Sequence, residues 1–288
     1  MANETGLDSA GMSTALPEWL RAIALEARYA KKRVWSHCFN AVEGDPEVQG
    51  KITKSGDSVT VQIFPAFSAT DISTTDGSST DTETTLTTKT VTINKWKNVS
   101  ATLVDIVDYQ VVVDFETNFA KGFGGAIAQI QEDDLLALVA ALTTNVDSTG
   151  GTFSDAKVRA SQAILDDGEV PKEDRCWAIC PQAHSDLLNL DKFTLANTTG
   201  FSKGVQVGDG RVVGLYGTPV EVTSRITTTS SKRDNVLFHR EAFGVVTQKN
   251  FNMEKFGRTQ YATRYGGSAL YGVATLRDNH AVWVTSAT

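Results

Sequence analysis

Val59, Val61 and Ile63 alternate with Ser58, Thr60 and Gln62. A period of two with one apolar face predicts a half-buried strand, so the stretch from Lys51 to Pro65 reads as a turn at "SGD" followed by a strand that Pro65 stops. Val91 and Ile93 alternate with Thr90, Thr92 and Asn94, which predicts a partner strand over Lys89 to Trp96. Between the two lies "FSATDISTTDGSSTDTETTLTT", almost pure Ser, Thr and Asp. Its midpoint, Asp76-Gly77, is the dipeptide favoured in tight hairpin turns. Threonine suits a strand whose side chains face water. The tract is therefore predicted to be an extended two-stranded ribbon.

Elsewhere the period is helical. Trp19, Leu20, Ile23, Ala24, Ala27 and Ala30 predict a helix over Pro17 to Cys38, with Pro17 in the first turn. Phe115, Phe119, Phe123, Ile127, Ile130, Leu138 and Leu142 fall on one stripe and predict a long helix over Asp114 to Leu142, roughly 40 Å from end to end. Gly122, Gly124 and Gly125 lie inside it, each costing about 1 kcal/mol against alanine. They mark either close packing of another backbone or a place where the helix bends. A second helix is predicted with Ser154 as N-cap, Ala156 to Leu165 as body and Gly168 as its stop. "RCWAIC" reads as a strand, "PQAHSDLLNL" as a short helix, and "GRVVGLYGTPVEVTS" as strand, turn and strand. "NVLFHREAFGVVTQ" joins a strand to a helical turn. Strands over Ala269 to Leu276 and Ala281 to Thr285 flank "RDNH". The fold class is α+β, with no repeat and no long linker.

Composition then narrows the function. No run in the 288 residues approaches the ~20 apolar residues of a membrane span. "MANETGLDSAGMSTALPEW" lacks the basic and apolar regions of a signal peptide, so a cytosolic origin is expected. The net charge of −7, with "RYAKKR" as the densest basic patch, argues against packaging nucleic acid by direct neutralisation. The three cysteines are Cys38, Cys176 and Cys180, and the four histidines, His37, His184, His239 and His280, are dispersed along the chain. Neither a disulfide nor a metal or cofactor site is expected from them. "GFSKG", Gly200 to Gly204, fits the pattern of a nucleophile elbow around Ser202, but a polar loop precedes it where a buried strand is needed. "GFGGAI" lacks the spacing of a phosphate loop. Asp133-Asp134 and Asp166-Asp167 read as surface charge on helices, and the sequons at Asn98 and Asn197 have no export signal beside them. No enzyme activity is expected; a serine hydrolase using Ser202 is the weak alternative.

The order of elements carries more. "ITKSGDSVTVQIFP", "DLLALVAAL", "PKEDRCWAICPQAHSDLL", "GRVVGLYGTPVEVTS", "VLFHREAFGVVTQ" and "LYGVATLRDNHAVWV" resemble the major capsid protein of tailed bacteriophages, the Hong Kong 97-type fold. The resemblance covers most of the chain from Lys51 onward. It implies an N-terminal arm (1–45), an extended hairpin loop (46–96), a peripheral domain carrying the spine helix (97–144), an axial domain (145–255) and return strands of the peripheral domain (256–288). It implies a structural function: pentamers and hexamers in an icosahedral head shell, assembled in the host cytoplasm, enclosing double-stranded DNA without reading its sequence. A separate scaffolding protein, a portal and a decoration protein are the partners expected, with no membrane. Phe67, Ile72 and Leu86, with the tip Asp76 and Gly77, become candidates for contact with a neighbouring subunit. Gly122, Gly124 and Gly125 become candidates for a bend of the spine. Some members of the family join a loop lysine to a neighbour's asparagine, for which Lys89 and Asn279 match by type alone. An encapsulin-like cage is the alternative that shares the fold.

Overall fold

The computed structural model describes residues 23, 33–41, 58–63, 70–72, 74, 86–105, 115–190, 205–208, 211–259 and 261–287. The strands in chain order are β1 (Phe39–Asn40), β2 (Ser58–Ile63), β3 (Thr87–Thr92), β4 (Lys95–Val104), β5 (Asn145–Asp147), β6 (Arg175–Ile179) and β7 (Val205–Gly208), followed by β8 (Arg211–Leu215), β9 (Thr218–Val222), β10 (Thr228–Thr229), β11 (Lys232–His239), β12 (Phe243–Thr259), β13 (Ala262–Thr275) and β14 (Ala281–Ala287). Three α-helices accompany them among the described residues: α1 (Phe115–Leu136), α2 (Asp155–Asp167) and α3 (Pro181–Leu188).

The strands form a four-stranded sheet in the order β1-β12-β13-β4 and an eight-stranded sheet in the order β5-β14-β11-β6-β9-β8-β7, to which β10 adds at β11. A separate hairpin pairs β2 with β3. The eight-stranded sheet is mixed: β6 runs parallel to β9 and β14 parallel to β5, while β11 is antiparallel to both its neighbours. Every residue of β6, "RCWAI", is buried. A strand reads as a continuous buried run when both faces of its sheet are covered. On one side of the pleat Trp177 meets Phe153 edge-on at 5.8 Å, just before α2. The fully buried Cys176 lies on the other.

The four-stranded sheet is covered on one face by α1. Ala120, Phe123 and Ile127 pack on Leu103 of β4, Phe251 and Met253 of β12, and Tyr265 and Tyr271 of β13. The tyrosines also tie the helix down, Tyr265 donating to Glu116 at 2.7 Å and Tyr271 to Asp134 at 2.6 Å. Asp134 receives Lys95 at 3.3 Å and Lys97 at 3.7 Å as well.

The long helix runs unbroken through its glycines but stops short of the prediction. After Leu136 the chain tightens into a 3-10 turn, Ala137–Ala141. The first turns of the helix pack on the four-stranded sheet, whereas its last residues, Leu135 and Leu136, are buried with Val139 and Leu142 in the core of the eight-stranded one. The helix predicted over Pro17 to Cys38 lies outside the described residues up to 32, apart from Ile23, which is helical. Its predicted last turn is not α-helix: Trp35–His37 is a 3-10 turn and Phe39–Asn40 is β1. The amides of Arg33 and Val34 are bound by the buried carboxylate of Glu132 on α1.

The ribbon's base is a hairpin in regular register, from Ser58 opposite Thr92 to Ile63 opposite Thr87. The strand predicted to run on to Trp96 ends instead at Thr92, and β4 begins at Lys95 in a different sheet. Val59, Val91 and Ile93 bury their side chains against Val246 and Leu276, which seats the hairpin on the four-stranded sheet. The terminal strands are longer than predicted. They also part company: β13 belongs to the four-stranded sheet and β14 to the eight-stranded one. Strand β12 passes unbroken through position 255, and the chain passes from one sheet to the other at 105–144, 240–242 and 276–280.

Candidate assembly surfaces

Among the described residues, no helix lies on one face of the four-stranded sheet. Residues of β4 alternate: Val99, Ala101 and Leu103 turn to α1, while Trp96, Asn98, Ser100, Thr102 and Val104 turn to solvent. Trp96 is 75% exposed, a large loss for an indole. It shares a shallow groove with Asn98, Lys249, Glu254, Phe256 and Ser268. Phe256 is exposed on β12, with the Arg264 guanidinium 5.9 Å from its ring centre. Tyr261, between β12 and β13, is 77% exposed.

Of the ribbon candidates, Ile72 is 64% exposed and Leu86 is 44% exposed. Phe67, Asp76 and Gly77 lie outside the described residues. Lys89 is exposed on β3 opposite Val61, and Asn279 is exposed between β13 and β14. Among the glycines of α1, Gly122 is exposed, with no atom within 4 Å of where a Cβ would stand, whereas Gly124 and Gly125 are buried. Ser202 and the rest of "GFSKG" lie outside the described residues.

The acidic pairs are structural. Asp133 takes a two-pronged ion pair from Arg225, and Asp134 holds the lysines of β4. Asp166 binds Lys172 at 3.1 Å and Arg175 at 2.8 Å, and these partners, the Lys172 hydrogen bond first, hold its carboxyl below the usual carboxylate range. Burial, opposed by the Val34 and Arg33 amides, pushes the Glu132 carboxyl up. Burial also pushes the Cys38 and Cys176 thiols far up, which makes them inert packing groups. Cys180 is the N-cap of α3, its Sγ accepting from the Ala183 amide at 3.3 Å.

The dispersed histidines are not all apart in space. His239, the last residue of β11, lies edge-on to His280 with ring centres 5.6 Å apart, and Glu241 is beside them. Burial lowers both imidazole pKa values, that of His280 to about 4. Neither the exposed aromatic face nor this cluster was named from the sequence. The period-two pattern of "KWKNVSATLV" held the signal for the first; the second needed the fold.

The fold is that of the Hong Kong 97-type capsid subunit of tailed phages. The Mycobacterium phage Che8 structure superposes with a TM-score of 0.68 at 19% identity, over 83% of this chain and 88% of that one. The capsid of the cyanophage P-SCSP1u gives 0.62 at 19% identity, over 81% and 84%. A virus-like particle from Pyrococcus furiosus gives 0.60 at 12% identity, over 93% and 98%. No family model matches the sequence, and no curated protein matches it. Among the described residues, no helix is long and apolar enough to cross a membrane.

Proposed function

We propose that this chain is a major capsid protein, which self-assembles into the icosahedral head shell of a tailed phage and encloses double-stranded DNA. The observation that carries the reading is the match of fold with phage capsid structures over 81–83% of the chain. Two features of the surface support it. The described ends of the ribbon present isolated apolar side chains that one subunit does not cover, and the four-stranded sheet leaves an aromatic face bare. In this reading α1 and the four-stranded sheet form the peripheral domain, the eight-stranded sheet forms the axial domain that meets its copies around the shell axes, and the hairpin loop lies on a neighbouring subunit. A net charge of −7 suits a container filled from outside by a motor, since it does not need to neutralise its contents. Scaffolding, portal and decoration proteins are its expected partners, the virion its location and the host cytoplasm its place of assembly.

Electron microscopy of the purified chain, alone and with a scaffolding protein from the same gene neighbourhood, tests the reading. Closed shells or capsomers are expected, and particles from infected cells should hold nuclease-protected DNA. A monodisperse monomer under all these conditions overturns it. Closed particles free of DNA would identify the encapsulin-like alternative.

A further inference from the structure

Of the three chain crossings between the two sheets, two touch. The first leads from β11 to β12 through a 3-10 turn, Arg240–Ala242. The second leads from β13 to β14 through another, Asp278–His280. The carbonyl of Ala242 accepts the amides of Leu276 at 2.8 Å and Arg277 at 3.3 Å, so the crossings are already laced at one point. His239 and Glu241 stand on the first crossing and His280 on the second. The ligand atoms of all three lie within 4.8 Å of one another.

We propose that His239, Glu241 and His280 form a binding site for a divalent transition-metal ion of zinc's class, and that the ion staples the two crossings together. The donor set selects the metal. Two imidazoles and one carboxylate suit zinc and its neighbours, whereas calcium and magnesium call for oxygen ligands alone. A tetrahedral ion with bonds of ~2.0–2.1 Å spaces its ligands about 3.3 Å apart, so the atoms must close by about 1.5 Å at most. The exposed Glu241 side chain has that freedom.

An independent observation points into the same space. His280 is 7% exposed, and its Nδ1 has no hydrogen-bond partner. A buried orphan of this kind is rare and calls for an explanation such as an ion. His239 is 6% exposed, and its Nδ1 accepts the Glu241 amide at a long 3.3 Å. Ligation through either of its nitrogens exchanges that weak contact for a metal bond. The nearby guanidiniums do not close the site. Arg175 is engaged by Asp166 at 2.8 Å, and Arg277 holds Glu241 by Oε2 at 3.3 Å, which orients the carboxylate and leaves Oε1 for the ion. The fourth position is left to water or to a neighbouring chain.

The test uses the whole chain as dissociated subunits, stripped with a chelator. Zinc titration by calorimetry and elemental analysis should give one ion per chain. Cobalt should give the intense visible bands of a tetrahedral site. Zinc should raise the melting temperature by several degrees. His280→Gln should abolish the uptake and the melting shift. Glu241→Gln, a surface change that leaves the core intact, should weaken binding at least about tenfold. Failure of the wild-type chain to take up zinc at tens of micromolar overturns the proposal, as does unchanged affinity in His280→Gln. If that variant does not fold, the cobalt spectrum and Glu241→Gln decide. The site belongs to the single subunit, so its failure would leave the shell reading intact, and a failure to form shells would leave the site intact.

Discussion

Gly272 of β13 fixes the ribbon to the subunit. A Cβ added there would stand 2.3 Å from the carbonyl oxygen of Thr92, the last residue of β3. That contact is with backbone, which cannot rotate away. Gly272→Ala must therefore lift the hairpin base off Val246 and Leu276, at a cost of about 1–3 kcal/mol. A lowered melting temperature with unchanged far-ultraviolet circular dichroism is expected; an unchanged melt would show that the base is free to shift. Asp147 works differently, through charge. Its carboxylate binds Lys157 at 2.7 Å and the Thr149 amide at 2.7 Å, joining β5 to α2. The Lys157 hydrogen bond, with those from Thr149, holds this carboxyl well below the usual range. The folded state therefore releases the proton more readily than the unfolded one. The resulting stability is present above about pH 4 and is lost as pH falls below it. Asp147→Asn should flatten the acid limb of a stability-against-pH curve while lowering stability near pH 7. An acid limb as steep as the wild type's would show that other carboxylates set it.

Helix α1 shows how far a sequence pattern reaches. Its phenylalanine stripe announced the helix and the face that meets the sheet, because both depend on neighbours three and four residues away. The 3-10 finish was not legible: from Leu135 onward the chain is buried in a different core, which only the fold creates. Glu132 was likewise invisible as the group that binds the amides of Arg33 and Val34, since those partners are remote in sequence. Strand β4 was legible and passed over, its alternation hidden by the two lysines flanking Trp96. The three glycines remain the helix's weakest stretch. We propose that they let the spine bend between an immature and an expanded shell. Gly122→Ala meets no neighbouring atom, so it should stabilise the subunit by up to about 1 kcal/mol, or about 2 °C in melting temperature for a chain of this size. Alanine at Gly122, Gly124 and Gly125 together should permit assembly and block expansion, as read by particle diameter. Normal expansion of the triple variant would reduce the glycines to packing contacts.

At the scale of the whole molecule, the described residues form two sheets joined by three crossings, with a hairpin seated on the smaller sheet. Among the described residues, the large apolar groups left outside the core include Trp96 and Phe256 on one face of the smaller sheet, Tyr261 at the turn between β12 and β13, and Ile72 and Leu86 in the polar tract between β2 and β3. An isolated two-stranded ribbon is marginal in water, so a long one is retained only if something else holds it. Because Ile63 stands directly opposite Thr87, residues 64–86 can be deleted and the strands rejoined by a two-residue Asn-Gly turn without a change of register. Every buried contact of Val59, Val91 and Ile93 stays in place in that variant. It should keep its circular dichroism and melt cooperatively within a few degrees of the wild type, yet form no stable shells by electron microscopy. Trp96→Ser and Phe256→Ser, on a face with no core behind it, should likewise leave the melt intact and weaken assembly. Shells of normal size and stability from the deletion variant would show that the ribbon is dispensable. Loss of its cooperative melt would show instead that the deleted residues belong to the subunit's own core.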